Sequence, residues 1–149
     1  MRHPMTFEPH PVADRLIGCA IRVHTALGPG LLESTYKRCL CCELDFSGIR
    51  FKTEVVAPLI YRNIRLDCGY RIDILVEDSL VVEVKATDTI TPIHKAQVLT
   101  YLKLTGARQG LILNFNSVLL KDGIRSVVLN QRRESRSIHV PDASPSQTS

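Results

Sequence analysis

Two alternating apolar runs about one polar turn constrain this chain more than any other feature. Ile64 to Leu75 and Leu80 to Lys85 read as strands, and Glu77-Asp78-Ser79 between them is polar and turn-like. Successive side chains along a strand point to opposite faces. A hairpin centred on Asp78 therefore sets residues 73 and 83 directly across from each other. Asp73, Glu83 and Lys85 then share one face. Ile72, Ile74, Val82 and Val84 share the other, which reads as core.

Two facing carboxylates repel each other. Lys85 offsets part of that repulsion, and a divalent cation offsets more, because Mg2+ prefers carboxylate and water oxygens. A cation held there can polarise a phosphoryl oxygen and activate a water. The competing reading of the same spacing is a surface ion-pair network, which contributes little to stability. The apolar residues Ile72, Ile74 and Leu80 to Val82 favour the middle of a sheet over its rim.

Around this hairpin the period is helical. Val12, Leu16, Ala20, Val23 and Leu27 predict a helix over 11–27 that stops at Gly28-Pro29-Gly30. A second helix is expected over 31–46, with Leu32, Thr35 and Cys39 on one side and Glu33, Lys37 and Leu40 on another. Glu33 falls in its first turn, where the helix field alone would favour a carboxylate. Phe51 to Ile60 alternate as a strand, and Tyr61 to Asn63 make a turn. Pro92 is placed to begin a third helix that ends at Gly106. That helix carries His94, Gln97 and Tyr101, the last two on one face at i, i+4. Near a strand-end site these three could contact a phosphate or a water. Their plainer readings are a half-buried tyrosine and two solvent-facing side chains. Gly110 to Phe115 and Ile124 to Leu129 read as two further strands. The order is helix, helix, three strands, helix, two strands, which predicts an α/β fold with a mixed central sheet flanked by helices.

The 149 residues bound one domain. We expect a leader over 1–10, the domain over 11–137, and a Pro- and Ser-rich tail over 138–149. A net charge of +4 suits a phosphate-bearing partner without requiring one. Between Lys121 and Arg136 stand five Lys or Arg against two acidic residues, for which a plain solvated face is a readier explanation than contact with nucleic acid. Cysteines 19, 39, 41, 42 and 68 lack zinc-knuckle spacing and read as free thiols. With no apolar leader and no run of about 18 apolar residues, a cytoplasmic chain without membrane contact is expected. The absence of Trp and an aromatic content of 5% argue against a sugar-cleaving pair made of Glu33 and Glu83.

The run from His24 to Tyr36, HTALGPGLLESTY, resembles the signature of the GxxExxY protein family, whose name Gly30, Glu33 and Tyr36 spell out. The likeness continues through Asp73-Ile74, Glu83-Val84-Lys85 and Gln97-Val98-Leu99-Thr100-Tyr101. That family is assigned to the PD-(D/E)xK nuclease superfamily, so the resemblance implies a restriction-endonuclease-like core. It further implies that Asp73 and Glu83 are metal ligands and that Glu33 helps to hold metal or water. Lys85 would orient or activate the attacking water. Gln97 and Tyr101 match the Q-x-x-x-Y pair of RecB-like nucleases, near metal and phosphate. Ile72 stands where the superfamily pattern often has Pro. The implied activity is Mg2+- or Mn2+-dependent hydrolysis of nucleic acid, DNA before RNA. The alternative is a module that keeps the fold and binds nucleic acid or protein without cutting. A domain this small would need a protein partner or a homodimer to find its target.

Overall fold

The computed structural model describes residues 10–129. Most of the expected leader, the whole expected tail and the basic residues beyond 129 lie outside that range. Helices α1 (Ala13–Leu27) and α2 (Glu33–Phe46) are followed by strands β1 (Phe51–Val56), β2 (Leu59–Tyr61), β3 (Ile64–Leu66), β4 (Arg71–Val76) and β5 (Leu80–Lys85). Helix α3 (Pro92–Thr105), strand β6 (Gln109–Asn114), a 3-10 turn (Leu120–Gly123) and strand β7 (Ile124–Val128) complete the order. The five-stranded sheet runs β1-β4-β5-β6-β7. It is mixed: β5 and β6 are parallel, joined by α3, and the other neighbours are antiparallel. This is the expected α/β architecture, consistent with a restriction-endonuclease-like core.

Two strands are shorter than their alternation suggested. The run expected to reach Ile60 breaks at Ala57-Pro58, where Pro has no N–H to give a ladder. The run from Ile64 to Leu75 breaks at Asp67-Cys68-Gly69, where Gly69 takes a left-handed φ of 84° and its N–H donates to the Asp67 carboxylate at 3.0 Å. The excised pieces, β2 and β3, pair as a separate ribbon. It turns at Arg62-Asn63, both at positive φ, as a tight hairpin requires.

The sheet is covered on both faces. Leu16, Ala20 and Val23 of α1 pack with Tyr36, Leu40 and Leu44 of α2 on Ile74, Val82, Val84 and Leu113. Val98, Tyr101 and Leu102 of α3 pack with Val81, Ile112 and Val127 on the other face. Gly110 allows α3 this close to β6, since a Cβ there would meet Val98 at 2.4 Å. The buried side of α2 is made by Tyr36, Leu40 and Leu44, whereas Leu32 at its start is 73% exposed. The ring of Tyr36 stacks on Phe115 at 4.7 Å. Its hydroxyl donates to the Gly28 carbonyl at 2.5 Å and accepts the Leu31 N–H at 3.0 Å. The buried tyrosine thus satisfies the backbone of the Gly28-Pro29-Gly30 loop and sets the rotation of α2. Among the described residues no helix is long and apolar enough to cross a membrane.

Tyr36→Phe leaves the Leu31 N–H and the Gly28 carbonyl without that partner. We expect a loss of about 1–3 kcal/mol in urea unfolding, with no change in secondary-structure content by circular dichroism.

Candidate functional site

The site begins where a ladder ends. The β4–β5 pairing runs Val76↔Leu80, Leu75↔Val81, Ile74↔Val82 and stops. Beyond it, side chains replace backbone partners. The Val84 N–H donates to Asp73 Oδ2 at 2.9 Å, and the Asp73 N–H donates to Glu83 Oε1 at 3.3 Å. The strands part into a fork with two carboxyl groups in its crotch, and the register carries Asp73 opposite Glu83 as the hairpin arithmetic required. Opening the fork also turns β4. Ile72 leaves the face of Ile74 and packs with Ala57, Val81 and Tyr101 on the α3 side. The expected placement of Ile72 beside Ile74 and Val84 is corrected accordingly, because strict alternation fails where the ladder does.

Glu83 is 5% exposed, and no ion-pair partner reaches it among the described residues. Burial first, and then the negative charge of Asp73, push its carboxyl from an ordinary 4.5 up to about 8, against the weaker opposing pull of Lys85. Lys85 is half-buried at the end of β5. Its neighbour in register, Asn114, ties down the following loop. The Asn114 amide donates to the Thr87 carbonyl at 2.9 Å and its carbonyl accepts the Thr87 N–H at 3.1 Å. On α3, the Gln97 amide donates to the Tyr101 hydroxyl at 3.0 Å. Burial, followed by the charge of Glu83, pushes the Tyr101 phenol up to about 12. Tyr101 therefore keeps its proton, and with Gln97 donating to its oxygen that proton is free for a third group. Tyr101 and Gln97 also line a cavity of about 460 Å³ with Tyr70 and Ile93. A larger cavity, of about 550 Å³, lies at the turn end of the hairpin beside Glu77 and Asp78, away from these groups.

His94 has a local task. Its ring Nδ1 accepts the Thr91 N–H at 3.1 Å and its own N–H donates to Thr91 Oγ1 at 3.3 Å, the reciprocal cap of α3. Glu33 is exposed in the first turn of α2, one turn before Lys37. Lys37 and Glu54 were not anticipated as site residues. Lys37 Nζ sits on the Glu54 carboxylate and 3.9 Å from Asp73 Oδ1. Glu54 holds a left-handed φ of 52° within a strand, a strain of roughly 1–3 kcal/mol for a residue with a Cβ. No periodicity could signal this, because the contact joins a helix to a strand edge. The one clue was the i, i+4 spacing of Lys37 from Glu33.

Asp73 and Glu83 offer carboxylate oxygens alone, a donor set that fits Mg2+ or Mn2+, which bind through one or two carboxylates and keep several waters. A buried acid beside a second acid is also the arrangement that a divalent cation relieves. Among the described residues no three His, Cys, Asp or Glu side chains are grouped to hold a metal, so water oxygens would complete the shell.

A mixed sheet carrying an acid on each of two neighbouring strands, with a lysine two residues past the second acid, defines a restriction-endonuclease-like protein. Residues 10–127 match the family model of the PD-(D/E)XK nuclease superfamily. The chain belongs to that superfamily. Its nucleases act on nucleic acid and generally use divalent metals. No curated protein and no solved structure matches the chain.

The raised Glu83 carboxyl sets the pH dependence of the metal-free protein. Below 4.5 the group is protonated folded and unfolded, and its contribution is fully present. Between 4.5 and about 8 only the folded chain holds the proton, so stability is lost as pH rises through that interval. Melting temperatures in a chelator should fall from pH 5 to pH 8 by an amount equivalent to at most about 1.4 kcal/mol per pH unit. Glu83→Gln should flatten that slope. A wild-type slope of the opposite sign would contradict the assignment.

Proposed function

We propose that the chain is a Mg2+- or Mn2+-dependent nuclease of the GxxExxY type that hydrolyses phosphodiester bonds of DNA in the cytoplasm. The observation that carries this reading is the fork, in which buried Glu83 lies against Asp73. A divalent cation bound by this pair supplies Lewis acidity toward the phosphoryl group and the attacking water. Asp73 and Glu83 would hold it, with Glu33 of α2 helping to hold the metal or its water. Lys85, on the same strand face as Glu83, orients the water and offsets the negative charge that builds on the phosphate. Tyr101, which keeps its proton, donates a hydrogen bond to a phosphate oxygen, and Gln97 fixes the direction of that hydroxyl. His94, capped onto Thr91, offers its remaining ring nitrogen to the nucleic-acid backbone. The nuclease unit spans 11–137.

The decisive experiment pairs cleavage with metal uptake. Labelled single- and double-stranded DNA and RNA are incubated with Mg2+ or Mn2+, and melts are recorded with and without Mn2+. Wild-type protein should cut DNA only with metal, and its melting temperature should rise with millimolar Mn2+ as a ligand of the folded state demands. Lys85→Ala should lose cleavage by roughly 10²–10⁴-fold while its melt still responds to Mn2+. The Asp73→Asn, Glu83→Gln double variant should lose both. A wild-type melt unmoved by Mn2+, with no cleavage of any substrate, would remove the nuclease reading and leave a binding module.

A further inference from the structure

The ammonium of Lys37 lies against the acidic pair of the site. Of the two oxygens of Asp73, Oδ2 accepts the Val84 N–H, and Oδ1 faces Lys37 Nζ at 3.9 Å. The oxygen left open for a cation is thus the one that Lys37 already faces. Glu54 is the other partner of the same ammonium. It lies in β1 between the pairs Thr53↔Ile74 and Val55↔Ile72, so the register sets it opposite Asp73. Its left-handed backbone interrupts that ladder at the one position where the side chain meets Lys37. The Lys37 side chain is 17% exposed and that of Glu54 59%. The ammonium is therefore held between a half-buried acid inside the site and an exposed acid at its edge.

We propose that Lys37 is a positioning residue that guards Asp73 Oδ1 in the metal-free protein and yields it to a divalent cation, with Glu54 retaining the ammonium. This rests on reading Asp73 and Glu83 as the metal pair. Like charges close together compete for one carboxylate oxygen. Without Lys37 the oxygen is open and the cation binds more tightly. Without Glu54 the ammonium has Asp73 alone, and the cation must displace it fully. The two variants therefore act in opposite directions, whereas a pair that merely braces α2 against β1 would weaken the fold in both and leave metal affinity alone.

The test is a Mn2+ titration, read by the loss of the free-ion paramagnetic resonance signal, with no substrate present. Lys37→Met should bind Mn2+ about tenfold more tightly than wild type and Glu54→Gln about tenfold more weakly, within the usual range of coupling between two sites. Lys37→Arg keeps the charge and should stay near wild type. In the Lys37→Met, Glu54→Gln double variant the Glu54 effect should vanish, leaving the affinity of Lys37→Met, because Glu54 acts through Lys37. Metal-free melts report whether each variant folds, and the exposed Glu54→Gln arm stands if Lys37→Met does not. Equal affinity in wild type and all variants overturns the role of Lys37 and leaves the nuclease reading intact. A Glu54→Gln effect that persists in the double variant also overturns it. Absence of Mn2+ uptake by wild type removes the nuclease reading and this proposal with it.

Discussion

The fork between β4 and β5 is the constraint on which the rest of the site depends. Antiparallel strands ordinarily satisfy each other's N–H and carbonyl groups, and an unpaired one buried in a sheet is costly. Here the ladder stops after Ile74↔Val82, and the carboxylates of Asp73 and Glu83 accept the N–H groups that backbone carbonyls would otherwise take. The acids are therefore part of the sheet's hydrogen bonding, and their positions are as fixed as the strands. That rigidity holds two acids together, one of them buried, and the Glu83 carboxyl keeps its proton up to about 8 as a result.

Every neighbouring element positions groups around the fork. The parallel partner β6 brings Asn114 beside Lys85, and its amide holds the loop leaving β5. Helix α3, allowed close by Gly110, lays Tyr101 over the α3 side of the sheet. Helix α2, rotated by the Tyr36 latch, delivers Lys37 to Asp73. The signature run in which Tyr36 stands thus acts on the site through geometry. Its glycines permit the loop and its tyrosine fastens it.

A carboxyl group pushed up to about 8 beside an acid, a lysine and a protonated tyrosine is a site held out of electrostatic balance. Structural ion pairs do not need that imbalance, since they are made by bringing opposite charges together. Burying like charges costs stability that only a bound cation or a shared proton recovers. This distinction separates the fork from the surface network that the same residue spacing would also allow.

Much of this was legible in the residues alone. Alternation about Glu77-Asp78-Ser79 sets Asp73 against Glu83, because the turn defines the register and a period of two defines the face. Pro92 and Gly106 bound α3, because one begins a helix without loss and the other ends it in the left-handed region. What the residues could not show was any contact between elements distant in the chain. The departure of Ile72 from the face of Ile74 follows from the strands parting. The breaks at Ala57-Pro58 and Asp67-Cys68-Gly69 turn two long strands into a sheet and a separate ribbon. The burial of Tyr36 and the ammonium of Lys37 between Glu54 and Asp73 depend on how helices sit on the sheet. Local periodicity determines which residues share a face; only tertiary packing decides which faces meet, because that choice is made by burial and hydrogen-bond satisfaction summed over the whole fold.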